Sequence, residues 1–364
     1  MKKRIKRILI GVISFILVAI LVVGFVFRKE IATVTSLKKN SEYPFYEMKY
    51  KADYGMKQFM KQGAATDQEL TNLITKTVLK GLPIKANPDG ACSTMHVTTP
   101  EGDSVFGRNF DYYPSVVMLV HTNPSDGYKA ISMVNLTHIG MTKENLPDES
   151  LASRMKLLAS PYIVLDGMNE KGLAVGVLVV DEQIVHQKTG KTPVTTTSAL
   201  RMILDKAATV NEAIELLKSH DMNSSGSTGY HFQLADATGD TAVIEYINGE
   251  MKVVRSEKEN NSLCATNFTL STNEKNGSGQ DRYEIIQKKL DETNGVMTEE
   301  ETMRLLEEAH FDGVKASNAD QTDKYYNAKT QWSAVYNLSK KTLTLCVGMD
   351  YDKKYEYSLE EIKE

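Results

Sequence analysis

The sequence predicts an α+β domain of packed sheets flanked by helices, behind one N-terminal membrane-spanning helix. Three observations carry this expectation. A basic tip precedes an uncharged run from Ile8 to Phe27. Further on, short β-like segments come in blocks and do not alternate with helices, which argues against a βαβ order. Two pairs of helical stretches separate those blocks.

In chain order, Lys2, Lys3, Arg4, Lys6 and Arg7 outnumber Arg28 and Lys29 on the far flank of the run. As a helix the run of about 20 residues covers the roughly 30 Å hydrocarbon core of a bilayer. The charge bias places the N-terminus in the cytoplasm and the remainder outside, a single-pass protein of the cell membrane. The competing reading is a cleaved signal peptide, but such an apolar region is usually shorter and ends in small residues, whereas this one ends Gly-Phe-Val-Phe-Arg-Lys. Residues 28–50 read as a polar stalk. Met56 to Lys80 have helical apolar spacing, capped at Thr66 and Asp67. Pro83 and Asn87-Pro-Asp-Gly90 predict a turn. The expected divisions are therefore a tip and signal anchor over 1–29, a stalk and helical prosegment over 30–91, and a catalytic domain over 92–364.

Downstream, β-like segments are expected at 91–98, 104–109, 115–121, 129–135, 162–167 and 173–180. Helices follow at 197–208 and 211–219, the second with Asn211 as candidate N-cap. Strands return at 230–235, 241–247, 251–255 and 262–266, then helices at 281–291 and 298–309. A hairpin at 331–337 and 342–348 closes the domain. The 364-residue chain leaves ample length beyond the anchor for one large core. A net charge of −4 without a basic stripe gives no sign of a nucleic-acid partner.

The 3 cysteines, Cys92, Cys264 and Cys346, are too few and too widely spaced for a disulfide framework or a zinc site. Cys264 and Cys346 lie in apolar strand-like runs and read as buried structural thiols. Cys92 differs. It precedes a Pro-Glu-Gly-Asp turn, after which a second strand delivers Arg108 and Asp111. That hairpin is expected to fold thiol, guanidinium and carboxylate towards one another, and a nearby cation favours the attacking thiolate. Arginine is otherwise scarce, and Arg282 stands in a second polar setting, Gly-Ser-Gly-Gln-Asp-Arg-Tyr. Between them Asn267 ends a buried-looking strand, where its amide is able to face a developing oxyanion.

These pieces resemble the choloylglycine hydrolase group of N-terminal-nucleophile (Ntn) hydrolases, which includes bile salt hydrolases, penicillin V acylases, N-acylethanolamine acid amidase, acid ceramidase and isopenicillin acyltransferases. The matching stretches are Cys92-Ser93-Thr94, Gly107-Arg108-Asn109-Phe110-Asp111, Asp166-Gly167-Met168-Asn169-Glu170-Lys171-Gly172-Leu173, Thr266-Asn267 and Arg282. They recur in the family's order over about residues 45–350. The resemblance implies a four-layer αββα sandwich of two antiparallel sheets and a cysteine nucleophile whose own α-amine is the base. It implies a small N-acyl amide as substrate and no metal or organic cofactor. Arg108 would flank the thiolate, Asp111 would hold the amine and Arg108, Asn267 would serve the oxyanion, and Arg282 would complete the polar floor. Because Cys92 is internal, its amine requires a cut at Ala91–Cys92. Bile salt hydrolases carry Asn ten positions after the Asn of Met-Asn-Glu-Lys-Gly, and penicillin V acylases carry Tyr. Here Val179 stands there, which argues against bile salts.

Several residues have structural readings instead. Asn169 and Gly172 read as a strand-connecting turn. His96 is four residues from Cys92, more than about 12 Å along a strand, too far for a dyad. Trp332 and the tyrosines of 325–336 read mainly as core, while Asp323, Lys324, Lys353 and Lys354 read as solvated surface. Two alternatives to the hydrolase stay open: acyl transfer to an amine, and a catalytically silent ectodomain that binds an acylated ligand.

Overall fold

The computed structural model describes residues 2–82, 91–180, 183–272, 277–316, 322 and 327–361. The expected turn at 83 and 87–90, and Asp323, Lys324, Tyr325 and Tyr326, lie outside the described residues. Two sheets organise the domain. The larger has nine strands and runs from the pair Lys38–Lys39 and Phe45–Tyr50, through Val117–Thr122, Ala130–Asn135, Val164–Asn169 and Ala174–Val180, to Gly229–Ala235, Thr241–Ile247 and Glu250–Arg255. The smaller has six, in the order Leu263–Ala265, Ala91–Thr98, Ser104–Tyr112, Lys329–Asn337, Thr342–Val347 and Tyr355–Ser358.

The sheets meet where Ala91–Thr98 packs on Ala174–Val180. Ala174–Val180 is buried on both faces, which explains its unbroken apolar run. Helix Thr196–Lys206 lies against Val164–Asn169 and Ala174–Val180. Helices Gln280–Glu292 and Glu299–Glu308 lie against the smaller sheet. Thr298 and Glu301 form a capping box at the start of the last of these, satisfying its free amide groups.

Two expectations need correction. The larger sheet is mixed, because Phe45–Tyr50 pairs parallel to Val117–Thr122. For the same reason residues 28–50 are not a stalk throughout. Phe45, Tyr46, Met48 and Tyr50 are buried in the main core, and Tyr50 donates to the carbonyl of Leu158 at 2.8 Å. The alternation of Phe-Tyr-Glu-Met-Lys-Tyr is a strand signature that the flanking lysines mask. The turn reading of Asn169 and Gly172 agrees with the geometry. Asn169 Oδ1 accepts from Lys171 N and Leu173 N at 3.0 and 3.2 Å, and Gly172 has φ +78°.

At the N-terminus, helix Lys2–Val26 contains one stretch, Arg4–Val26, long and apolar enough to cross a membrane, with mean hydropathy 3.1 and none of it buried. A signal sequence meets the same description.

Candidate active site

The site is built on the hairpin Ala91–Thr98 and Ser104–Tyr112. Its register sets Cys92 opposite Phe110 and Thr94 opposite Arg108. Side chains alternate across a strand, so Cys92, Thr94, Arg108 and Phe110 share one face and Asn109 and Asp111 the other. The first face meets the larger sheet. Arg108 runs past Gly176, where a Cβ would lie 3.2 Å from its Cδ. On the second face Asn109 donates to the carbonyl of Leu306 at 2.7 Å, in the covering helix.

This alternation corrects the expected partner of Arg108. Asp111 lies on the wrong face to hold it. Arg108 Nε instead pairs with Asp166 Oδ2 at 2.8 Å, both side chains fully buried. Asp166 also accepts from Trp332 Nε1 at 3.0 Å and from the Tyr336 hydroxyl at 2.5 Å. Burial pushes its carboxyl up, with Arg108 opposing, and only the ionised carboxylate satisfies three donors at once. Arg108 Nη2 then donates to Cys92 Sγ at 3.1 Å. Sequence reasoning missed Asp166, Trp332 and Tyr336 as members of the site. The one available signal was that Asp166 opens the Asp-Gly-Met-Asn-Glu-Lys-Gly stretch.

Asp111 is linked to the thiol's residue through Arg282. Arg282 Nη1 donates to Asp111 Oδ2 at 2.7 Å, to the carbonyl of Cys92 at 2.8 Å and to Ser93 Oγ at 3.1 Å. The other oxygen of Asp111 accepts from Thr330 Oγ1 at 2.6 Å. An arginine in the first turn of helix Gln280–Glu292 opposes the helix dipole, so its place there is better explained by these contacts. Gly279 caps that helix at φ +83°, and a Cβ on it would lie 2.6 Å from Arg282 Nη2. Only glycine suits that backbone and leaves room for the guanidinium.

Asn267 closes the arrangement from the larger sheet's side. Its Oδ1 accepts from the Cys92 backbone N–H at 2.9 Å and from Arg282 Nη2 at 3.0 Å, and its Nδ2 donates to the carbonyl of Val179 at 2.9 Å. Three partners of known polarity fix the amide's orientation. The strand expected at 262–266 breaks at Thr266: Leu263–Ala265 stays in the six-stranded sheet, and Asn267–Phe268 pairs with Gly277–Ser278. That break delivers Asn267.

All five residues singled out from the sequence, Cys92, Arg108, Asp111, Asn267 and Arg282, therefore converge on one buried point. Burial pushes the Cys92 thiol up to about 11, with Arg108 and Arg282 opposing and Asp111 and Asp166 adding to it. The thiol of the intact strand is thus neutral at physiological pH. His96 takes no part: its ring nitrogens contact the carbonyl of Asn261 at 2.9 Å and Ser104 Oγ at 3.0 Å. Cys264 and Cys346 are free and buried. Among the described residues no cluster of three or more His, Cys, Asp or Glu is placed to hold a metal ion.

A family model described as acyl-coenzyme A:6-aminopenicillanic acid acyl-transferase matches residues 97–352, which include Arg108, Asp111, Asn267 and Arg282 and begin just after Cys92. The penicillin V acylase of Pectobacterium atrosepticum is 34% identical over 103 residues, 25% of this chain and 27% of that protein. The chain thus matches about a quarter of that relative's length. Among solved structures, a mutant conjugated bile acid hydrolase from Clostridium perfringens superposes with TM-score 0.53 at 15% identity, covering 75% of this chain and 93% of that one. A second variant of the same enzyme gives TM-score 0.54 at 14% identity, covering 75% and 94%. These likenesses give the fold, an Ntn-hydrolase-like arrangement of mixed sheets and helices. With more than half of its length matched, the chain belongs to the acyl-coenzyme A:6-aminopenicillanic acid acyl-transferase family.

Proposed function

We propose that this chain hydrolyses linear N-acyl amides with Cys92 as an N-terminal nucleophile, exposed by cleavage at Ala91–Cys92. The observation that carries the reading is that side chains grip every polar atom of Cys92. Arg108 is on its sulfur, Asn267 on its backbone nitrogen and Arg282 on its carbonyl oxygen. A structural thiol has no need of such a setting.

In the intact chain that nitrogen is an amide and cannot act as a base. Attack of the thiol on the Ala91 carbonyl, with transfer of that acyl group from nitrogen to sulfur, would break the Ala91–Cys92 C–N bond and free the nitrogen as an amine; hydrolysis of the resulting thioester would release the Ala91 carboxylate and restore the thiol. A chain-terminal amine has an ordinary pKa near 7.7 to 8.0 and is a suitable base at neutral pH. In turnover it takes the Cys92 thiol proton as sulfur attacks the substrate carbonyl, with the Arg108 guanidinium favouring the thiolate. Asn267 Nδ2 spends one hydrogen on Val179 and keeps the other for the oxyanion, a donor of a kind worth about 3 kcal/mol. The intermediate collapses to a thioester as the ammonium protonates the departing amine. Water, deprotonated by the same amine, then releases the acid and restores the thiol. Asp111 acts as counter-charge to Arg282 in this scheme.

Acyl transfer to an amine acceptor in place of water is the second reading, favoured by the matched family. We further infer the four-layer αββα order from the helices that lie against each sheet, and a single-pass anchor with the N-terminus cytoplasmic from the apolar helix and its basic tip. N-terminal sequencing of the purified protein, followed by a panel of N-acyl amides with and without added amine, tests the whole scheme. A new N-terminus at Cys92 and product formation abolished by Cys92→Ser support it. A fully active intact chain would sink it.

A further inference from the structure

The segment that carries Asn267 is clamped from the larger sheet by two residues in contact with each other. His231, on strand Gly229–Ala235, is 1% exposed and faces two acceptors. Its Nε2 is 2.7 Å from the carbonyl of Thr266, the residue before Asn267. Its Nδ1 is 3.2 Å from Glu245 Oε1 on the neighbouring strand. Glu245, equally buried, accepts from Leu270 N at 2.7 Å and Ser271 N at 2.9 Å. The two side chains thus hold the chain on both sides of Asn267, at 266 and at 270–271.

A carbonyl oxygen only accepts, so Nε2 must carry a hydrogen. The contact between Nδ1 and Oε1 then needs a second hydrogen, either on the ring or on the carboxyl. With one proton fewer, a lone pair faces a carboxylate in a buried site, at the full cost of an unmade polar contact. The surroundings favour placing the proton on the ring. Burial raises the Glu245 carboxyl, but His231 and the amides of Ser271 and Leu270 outweigh it and leave it below its ordinary value.

Other charges nearby are already committed. Lys252 stands opposite Glu245 in register, but its ammonium bonds Glu250. Arg282, on the far side of Asn267, is paired with Asp111, and Arg108 with Asp166. The strands Ala174–Val180 and Leu263–Ala265 bring no charged side chain.

We propose that His231 and Glu245 are positioning residues for Asn267: their contacts hold the chain on both sides of it, and without them the Asn267 amide drifts from Cys92. This deepens the hydrolase reading and rests on it for its effect on turnover, but not for the proton itself.

The test uses the full chain, in detergent, in two arms. In the first, imidazole-¹⁵N-labelled protein is followed by NMR, with His231 assigned from the signals missing in His231→Gln. Two ring N–H groups on His231 near neutral pH are expected, and a ring nitrogen without its proton throughout the neutral and acid range would overturn the proposal. In the second arm, His231→Gln, His231→Phe and Glu245→Gln are compared after circular dichroism confirms folding. His231→Gln keeps one donor for Thr266 and His231→Phe none. Misplacement of a reacting group costs about tenfold to a hundredfold, so kcat should fall by that much in His231→Phe and Glu245→Gln, with KM little changed. His231→Gln should lose less. Wild-type kcat in Glu245→Gln and His231→Phe would overturn the positioning role. If wild type turns over no amide and Cys92 resists labelling, the hydrolase reading fails while the NMR result stands on its own.

Discussion

Replacing Asp166 by Asn separates the support of the thiol from the chemistry of the thiol. Asp166 is fully buried and receives Arg108 Nε, Trp332 Nε1 and the Tyr336 hydroxyl. An amide oxygen accepts from two donors at most, and its nitrogen would then face a third. The larger loss is the counter-charge to a guanidinium that is itself fully buried, with Nη1 already without a hydrogen-bond partner. Removing one member of a buried ion pair costs about 3–5 kcal/mol, and Asn, as the closest isostere, should fall near 3. For a domain of this size that is on the order of 5–10 °C in Tm. Calorimetry of the full chain reads the shift, and alkylation of Cys92 at fixed pH reads whether Nη2 still addresses the sulfur. The double variant Asp166→Asn with Arg108→Met removes both charges and keeps an amide oxygen for Trp332 Nε1 and the Tyr336 hydroxyl, so it should recover part of the stability while leaving turnover abolished. A single variant melting within about 2 °C of wild type, or a double variant no more stable than the single, would refute the ion-pair account.

Three further outcomes follow from the same geometry. Asn267→Ala removes the acceptor for the Cys92 nitrogen and the candidate oxyanion donor, so kcat should drop about a hundredfold or more with a smaller change in KM, read by steady-state kinetics. Gly172→Ala should destabilise the turn it occupies by several kcal/mol, because its φ is +78° and the new methyl would lie 2.3 Å from the Leu338 carbonyl; thermal melting checks it. Burial raises the thiols of Cys92, Cys264 and Cys346 from 9.0 to about 11, 12 and 11. Groups shifted in this direction add stability below their unfolded value, and that stability is lost as pH rises through the folded values. Tm should therefore decline between about pH 9 and 12, and replacing Cys264 by Ala should flatten the decline; a level profile in wild type would contradict the burial of all three.

The parts of this molecule that were legible in its sequence are those whose cause is local. The hairpin of Cys92 and the turn at Asn169 to Gly172 each follow from residues within a few positions of one another. The strand Phe45–Tyr50 was not legible, because its parallel partner Val117–Thr122 lies far along the chain and lysines flank it on both sides. Asp166 escaped for a related reason. Its partners Arg108, Trp332 and Tyr336 are 58, 166 and 170 positions away, and no local pattern joins them. The assignment of Asp111 to Arg108 failed on a rule that was available: residues three apart in a strand point to opposite faces.

The buried strand also changes what a cut at Ala91–Cys92 would do. A loosely attached stalk would leave with the N-terminal piece. Phe45–Tyr50 instead lies inside the nine-stranded sheet, between Lys38–Lys39 and Val117–Thr122. Beyond it Tyr54 donates to both carboxylate oxygens of Asp205 at 2.9 and 2.8 Å, and its own carbonyl accepts from the Tyr162 hydroxyl at 2.7 Å. Separating the pieces would expose Phe45, Tyr46, Met48, Tyr50 and Tyr54, each worth roughly 1.5–3 kcal/mol when fully buried, and would strip a ladder of backbone hydrogen bonds from Val117–Thr122. Cleavage under the proposed scheme is therefore a change of chemistry at one nitrogen and leaves the fold in one piece. The apolar helix at the N-terminus would stay joined to the thiol through the core that the two sheets share, after the covalent connection between them was gone.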